Sequence, residues 1–461
     1  MSERIEKDSL GEVNVPSEMF WGAQTQRALG NFKISGIKFQ REFIRALGIV
    51  KRAAADANIR IGLLDPELGK EIIDVASEII EGDLDEQFPL DIFQTGSGTS
   101  FNMNANEVIA NKVNMKLGKK PGSKFPVHPN DHVNMGQSSN DVIPTAIHIA
   151  IAEIVSWSLL PSLTLLQDSL ELKRDEFDEI IKLGRTHLQD ATPVRLGQEF
   201  GGYAEMIKKS IKRVETGLEG LMELALGGTA VGTGLNTHKD FPEVAIKVIS
   251  ELTNINFSEA SDHFEAQSCK DSVVFMSSAF KTLAVSLSKI ANDIRWAGSG
   301  PFGGIGELIL PEVQPGSSIM PGKINPVIPE SVLQISAKVI GNDTTITICG
   351  QSGNFQLNTM MPLIGFTSIE SGLILTNGIN TLREKCISGL KVDISRCNEL
   401  VEKSLAMVTS LTPEIGYDAA SNIAKEAYLT GRTIREILKE KNLIDEKKIE
   451  ELLDPMKMTG K

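Results

Sequence analysis

Residues 273–294 read VVFMSSAFKTLAVSLSKIANDI, and their spacing decides the fold. From Val273, the apolar residues Met276, Phe280, Leu283, Leu287, Ile290 and Ile294 recur at alternating steps of three and four, which lays them along one stripe of an α-helix. An apolar stripe of this length is a seam that packs against other helices. The same arithmetic recurs upstream in Phe200, Tyr203, Ile207, Ile211, Val214, Leu218 and Leu221, with Lys208, Lys209, Lys212 and Arg213 on the opposite face. A third long helix is predicted from Asn140 to about Lys173. Pro144 is tolerated in its first turns and Pro161 is placed to kink it. Extended apolar runs between turns are nearly absent. The sequence therefore predicts a mainly α protein built around long antiparallel helices. Seams this apolar imply faces covered by other subunits, or elsewhere within the chain.

Outward from this bundle the boundaries are softer. The motif-dense stretch ending near Gln137 separates an N-terminal part, 1–138, from the central bundle, 139–390. Gly389-Leu390-Lys391-Val392-Asp393 reads as a turn into a charged C-terminal part, 391–461.

Composition narrows the function classes. The 461 residues include 47 Lys and Arg against 60 Asp and Glu, a formal charge of −13. Nucleic-acid binding draws its affinity from basic residues that neutralise phosphates, so this balance argues against such a partner. Counting Gly and leaving out Tyr, the apolar share is roughly 49%, within the range of ordinary soluble domains. The opening MSERIEKDSLGEV carries four carboxylates and no apolar run, so it reads as neither secretory signal nor transit peptide and predicts a cytoplasmic protein. The longest charge-free stretch, Thr344 to Ile369, is interrupted by Gln351, Ser352, Asn354, Gln356 and Asn358. It reads as a polar loop region and not a membrane span. Cys269, Cys349, Cys386 and Cys397 are too scattered for a disulfide framework or a zinc or iron–sulfur site, and read as reduced thiols.

Four segments break the helical pattern with small polar residues: TGSGTSFNMN from Thr95, HPNDHVNMGQSSND from His128, GRTHLQD from Gly184 and GSSIMPGKINPVIPE from Gly316. Each offers hydroxyls, side-chain amides and free backbone amides, the groups with which loops bind ligands, although Gly, Ser and Asn also simply make turns. Nucleotide motifs do not fit. The run from Gly316 to Gly322-Lys323 is one residue too long for a phosphate-binding P-loop and ends in Ile324 where Ser or Thr is required; Gly96-Ser97-Gly98 has Phe101 where a dinucleotide fingerprint needs its third glycine. An anion site fits better. Ser138, Ser139 and Asn140 stand directly before the third helix, where free amides and the positive dipole end favour negative charge, or where they serve only as caps. Lys323 adds a cation to the Gly316–Asn325 loop, or is a plain surface lysine. His187, between Thr186 and Leu188, is either an acid–base group or a hydrogen-bonded core histidine. Glu330 follows Pro329 at a helix start, where the dipole alone stabilises a carboxylate. Ser317 is a candidate nucleophile or base, without the surroundings of a G-x-S-x-G elbow. Spacing stops here, at a helical protein with an acid–base and anion site.

The string GSSIMPGKINP at 316–326 closely resembles the signature loop of the fumarase/aspartase superfamily. WGAQTQR from Trp21, TGSGTSFNMN, HPND, GQSSND from Gly136, GRTHLQDATP and GGTAVGTGLNTH from Gly227 resemble the class II fumarase pattern in the same order, over essentially the whole chain. The resemblance implies a three-domain fold with a central long-helix bundle at the core of a homotetramer, and active sites assembled from segments of three subunits. It implies reversible trans addition of water to fumarate, giving (S)-malate through an aci-carboxylate, with no metal and no organic cofactor. Carried over, Ser317 is the base that takes a C3 proton, His187 acts on the hydroxyl at the other face, and Glu330 orients that imidazole. Ser97, Thr99, Ser138, Ser139, Asn140, Thr186, Ser318, Lys323 and Asn325 hold the two carboxylates. His128, Asn130 and Asp131 match a second, peripheral anion site, where Phe125-Pro126-Val127 replaces the basic residue that often precedes it. His132, VIPE after Asn325 and GNDTTIT from Gly341 look more like aspartase, whereas Ser97, Ser139 and Gly322 follow fumarase at positions nearer the substrate. An aspartate ammonia-lyase, and a catalytically silent structural relative, are the alternatives.

Overall fold

A computed structural model describes residues 2–460. The three predicted helices are present. The first spans Asp271–Ala297, and every seam residue from Val273 to Ile294 is at most 2% exposed. The second spans Leu196–Glu219 and buries Phe200, Tyr203, Ile207 and Val214, with Lys208, Lys209, Lys212 and Arg213 exposed. The third starts at Ser139 and ends at Glu176, in two α-helical halves joined by a wide π-type turn over Val155–Leu159. Pro161 follows that turn. Proline lacks the N–H for an i→i−4 bond and its ring crowds the preceding turn, so the ladder widens just ahead of it.

The chain divides into two compact units. One comprises the chain up to Pro161 with Lys212–Ala284 and Ala337–Thr376; the other comprises Ser162–Ile211, Val285–Ser336 and the chain from Asn377 onward. The first unit is centred on the Arg41–Arg60 helix, which packs on Pro66–Glu81, Ser139–Ile154 and Phe241–Thr253. Its Phe43 lies in a ring cluster with Phe39 at 4.2 Å and Phe101 at 5.4 Å, and Phe88 lies 5.5 Å from Phe101. Offset and tilted rings at such distances add to the burial of apolar area that holds the unit together.

The second unit has its own core. Leu183 joins Val401, Met407, Leu411, Ile423, Ile437, Leu438 and Ile449, residues of the C-terminal helices Ile394–Lys403, Tyr417–Thr430, Ile434–Lys441 and Glu446–Leu452 and of the turn between the first two. The expected turn at 389–393 contains a short strand, Lys391–Val392, paired with Leu308–Ile309. Asp393 then caps the next helix by accepting from the Arg396 amide at 2.9 Å.

Five short two-stranded sheets occur among the described residues, none of them an extended apolar run, including the hairpin of Ile181–Thr186 against Gln189–Arg195. One expectation needs correction. The region 344–369 is not a polar loop throughout. Residues 344–350 complete the Val327–Gly350 helix, 361–369 begin the Met361–Leu382 helix, and only the stretch between them is irregular, with a small hairpin. Burial of Ile346, Cys349, Ile364 and Ile369 decides the helical state there, overriding the β-branched residues. The helices long and apolar enough to cross a membrane are instead Ser139–Glu176 and Asp271–Ala297, half of whose relevant windows is buried inside the fold, as core helices are.

Candidate active site

In the first unit the TGSGTSFNMN and GQSSND segments form one polar cradle. The Thr99–Lys116 helix starts at Gly98, whose φ of 72° favours glycine and which lies so close to Ile143 that a Cβ would meet that side chain at 2.9 Å. The first turns of two helices, from Thr99 and from Ser139, thus adjoin, and their amides present positive potential to one place. Ser97 Oγ and Thr99 Oγ1 lie 2.7 Å apart. Ser138 is a true N-cap: its Oγ accepts from the Asn140 amide, and the Asp141 carboxylate accepts from the Ser138 amide at 2.9 Å. Ser139 Oγ accepts from Asn102 Nδ2 at 3.1 Å, and Asn140 Nδ2 donates to the Ala230 carbonyl at 2.8 Å. Capping therefore accounts for Ser138 with Asp141, but not for Ser139 or Asn140.

Beneath these residues lie two buried charges. Asp141 is fully buried and also accepts from the amides of Gly227 and Thr229 at 3.0 and 2.9 Å. Burial holds its carboxyl above the usual range despite these bonds. Lys51, on the Arg41–Arg60 helix, is fully buried and donates to Asn134 Oδ1 at 3.1 Å and Gln137 Oε1 at 2.9 Å. Desolvation of the ammonium lowers it to about 7.

The second unit carries GRTHLQD on a two-residue hairpin. Thr186 pairs with Gln189, leaving His187 and Leu188 as the turn, with φ of 56° and 60°. Positive φ at both central residues defines a type I′ turn, whose twist suits a hairpin but which is strained for side chains other than Gly, Asn or Asp. Leu183, in the C-terminal core, and Arg185 anchor the strand below: Arg185 donates from Nη1 and Nη2 to the fully buried Glu307 at 2.9 Å each. Lys182 bridges Glu307 and Glu199 at 3.4 and 2.8 Å, and the Tyr203 hydroxyl lies 3.0 Å from Glu199 and from Asp293. Burial and these two carboxylates raise the Tyr203 phenol, so it stays protonated. His187, Arg185, Lys182, Tyr203 and Trp296 line a cleft of about 620 Å³.

The Gly316–Asn325 segment is an exposed loop tied together at its base. The Gly316 amide donates to the Lys323 carbonyl at 2.9 Å, and Asn325 Nδ2 donates to the Gly316 carbonyl. A Cβ on Gly316 would lie 2.4 Å from the Lys323 oxygen, so only glycine permits this closure. Inside the loop, Ser317 Oγ accepts from the amides of Met320 at 2.9 Å and Ile319 at 3.2 Å. Two N–H donors on one hydroxyl oxygen stabilise negative charge on it. Ser318 and Lys323 are exposed, and Glu330 sits half-buried in the first turn of the Val327–Gly350 helix.

The structure thus brings Ser97, Thr99, Ser138, Ser139 and Asn140 into one cradle, and Ser317 with Asn325 into one loop. It does not line the His187 cleft with Ser317, Lys323 or Glu330. His187 is not a core histidine: with Thr186 it is exposed at the hairpin tip. Asn325 braces the loop through its amide nitrogen, leaving its oxygen for other work. At the peripheral segment, His128 Nδ1 accepts from the amides of Asn130 and Asp131 at 3.2 Å, which places the ring proton on Nε2, and the side chains of Asn130 and Asp131 are exposed. Among the described residues, no three His, Cys, Asp or Glu side chains gather as a metal-binding group.

Sequence reasoning missed Lys51, Asn102, Asn134, Asp141 and Glu307. Lys51 left a trace, since it falls among Leu47, Val50, Ala54 and Ala55 on the face that the helix buries. Asn102, Asn104, Asn106, Asn111 and Asn114 left one too, as amides recurring along a single helix, where all five are buried. Glu307 left none, because its role depends on residues 122 positions away.

Two family models match the chain: one described as Lyase over residues 11–341, and one described as Fumarase C C-terminus over residues 407–460. The chain is 52% identical over 461 residues to a protein of Halobacterium salinarum named fumarate hydratase class II, covering 100% of this chain and 98% of that one. It is 50% identical to a protein of the same name from Caulobacter vibrioides, covering 99% and 98%. Its fold matches a crystal structure of a recombinant class II fumarase from Schistosoma mansoni with a TM-score of 0.95, at 38% identity over 99% of both chains.

Proposed function

The chain belongs to the lyase family of the class II fumarate hydratases and is a hydro-lyase acting on fumarate; on that premise we propose that Ser317, His187 and Glu330 carry the chemistry, through a trans addition that gives (S)-malate. The observation that carries the assignment is the pair of amide donors on Ser317 Oγ. In the malate-to-fumarate direction the Ser317 alkoxide takes a proton from C3 and becomes a hydroxyl, and the electron pair moves into the adjacent carboxylate as an aci-carboxylate. When that pair returns, the C2–OH bond breaks and His187, protonated, gives its proton to the departing hydroxide, so that water leaves. Glu330 holds the imidazole charged and oriented. An ordinary serine is far too weak a base for this, so the Met320 and Ile319 amides, with Lys323 of the same loop, stabilise its alkoxide.

Ser97, Thr99, Ser138, Ser139 and Asn140, with Thr186, Ser318, Lys323 and Asn325, bind the two carboxylates and favour the intermediate, whose extra charge appears only after proton abstraction. Because His187 is exposed on its hairpin and Ser317 lies in an open loop, we assign the complete site to three subunits of a homotetramer. Large apolar side chains exposed on the long helices, among them Trp157, Leu172, Phe275 and Val285, support this assembly. The parts 1–138, 139–390 and 391–461 correspond in this reading to the family's three domains. The protein works in the cytoplasm, and His128, Asn130 and Asp131 form a peripheral way-station for anions.

Purified protein given (S)-malate is expected to form fumarate without ammonia and to leave aspartate untouched; the reverse selectivity would install the ammonia-lyase in its place, and silence on both would indicate a structural relative. Ser317→Ala and His187→Asn are each expected to lower turnover by about 10²–10⁴-fold with the oligomer intact. Near-normal turnover in either removes that residue from its role.

A further inference from the structure

A fully buried lysine usually has a carboxylate against it, because an ammonium without one loses its hydration for little return. Lys51 has none within ion-pair distance among the described residues, and its nitrogen rests on the amide oxygens of Asn134 and Gln137. Both amides are fixed in that orientation. Gln137 Nε2 donates to the carbonyls of Val133 and Met135 at 3.0 and 3.2 Å, and Asn134 Nδ2 donates to the Gln137 carbonyl at 3.1 Å. Asn134 Oδ1 also accepts from Asn102 and Asn106 Nδ2, at 3.2 Å each, and Asn102 Nδ2 donates onward to Ser139 Oγ. A continuous chain therefore runs from the ammonium through Asn134 and Asn102 to a hydroxyl of the cradle.

We propose that Lys51 is a positioning residue of the carboxylate cradle, whose buried ammonium orients the Ser139 hydroxyl as an outward donor and supplies positive charge for a dicarboxylate. With Asn102 donating to one of its two lone pairs, Ser139 keeps its proton free to give away. The charge acts through a poorly polarisable interior, where it counts for more than at the surface of a chain of net −13. Desolvation, which lowers Lys51 to about 7, makes the lysine responsive to a dianion bound nearby, since that dianion favours the charged form. The nearby Asp141 does not cancel it by contact, because its oxygens are taken by the amides of Ser138, Gly227 and Thr229.

The inference rests on the reading that Ser139 binds a substrate carboxylate, and the experiment separates the two. In the full-length protein, Lys51→Met is expected to raise the KM for malate and fumarate about 10- to 100-fold with kcat within about threefold, the size of effect of one lost charge-assisted contact. The inhibition constant of succinate should rise by the same factor and that of its monoamide by much less. Equal weakening of both inhibitors, or neither, in a folded Lys51→Met protein overturns the inference. Should that variant not fold, Asn102→Ala decides: it cuts the chain of bonds and is expected to raise the malate KM about 3- to 10-fold, and an unchanged KM overturns the inference. Ser139→Ala is the control. If it leaves KM unchanged, the cradle reading itself falls; if it weakens binding while Lys51→Met does not, only the inference falls.

Discussion

The cradle and the reacting segments are both rich in small polar residues, yet the chain treats them in opposite ways. In the cradle, Ser97, Ser139, Asn102, Lys51 and Asp141 are buried and bound to partners within the same unit. At the hairpin tip and in the Gly316–Asn325 loop, His187, Ser318 and Lys323 are exposed, and none makes an ion pair among the described residues. The binding groups proposed in the cradle are prebuilt within one unit. The reacting groups proposed above, with the binding residues Thr186, Ser318 and Lys323 beside them, are presented on short supports. The difference is physical: carboxylate recognition needs donors already desolvated and aimed, whereas groups that exchange protons must be reached by water and substrate between turnovers.

The comparison predicts that stability and turnover separate by region. The largest effect is expected at Asp141. Replacing it by Ala leaves the amides of Ser138, Gly227 and Thr229 buried without an acceptor and removes the nearest counter-charge of Lys51. A loss of about 3–5 kcal/mol in unfolding free energy follows, measured from the urea midpoint. A loss below about 1 kcal/mol would mean that the cradle is no more prebuilt than the loop, since Ser317→Ala should leave that midpoint almost unmoved.

A smaller effect is expected where the exposed hairpin meets its buried support. Glu307→Gln keeps the shape of the side chain but discharges the acceptor of two Arg185 bonds and the Lys182 contact. The expected cost is about 1–3 kcal/mol in stability, the usual worth of bonds to a charged group. If Arg185 fixes the tip, kcat should fall about tenfold with KM within twofold, because His187 would be misplaced while the cradle stays whole. A rise in KM at constant kcat would instead make the hairpin a binding element.

Much of this was legible in the sequence, and the gaps have identifiable causes. Helical periodicity located the Asp271–Ala297 and Leu196–Glu219 helices because a seam repeats its signal every turn. The four polar segments were found because they break that period. The hairpin at 181–195 was not found: its turn is His-Leu, without the Asn-Gly or Asp-Gly that normally announces a type I′ turn. The exposed state of His187 was likewise hidden, since a histidine between hydroxyl and apolar neighbours has the same local sequence in a core and at a tip. The supports beneath the site, Lys51, Asp141 and Glu307, depend on partners up to 125 positions distant, which no local pattern records.

The smallest expected effect is at that unusual turn, and it tests whether its strain serves His187. Leu188 is 70% exposed, so replacing it removes little packing and acts mainly through the backbone. At a φ of 60°, glycine relieves roughly 1–2 kcal/mol of left-handed strain but gives back about 0.5–1 kcal/mol through the freedom it adds to the unfolded chain. Leu188→Gly should therefore raise stability by no more than about 1.5 kcal/mol, a shift of a few degrees at most in the thermal midpoint. Turnover should move the other way, falling several-fold, because a glycine turn no longer confines the His187 backbone to one conformation. Leu188→Asn, which tolerates the same φ with a side chain still in place, should recover most of that turnover. If Leu188→Gly is as active as the parent, the turn does not position His187, and the burden of fixing the imidazole passes to Glu330 and to the strand held by Arg185.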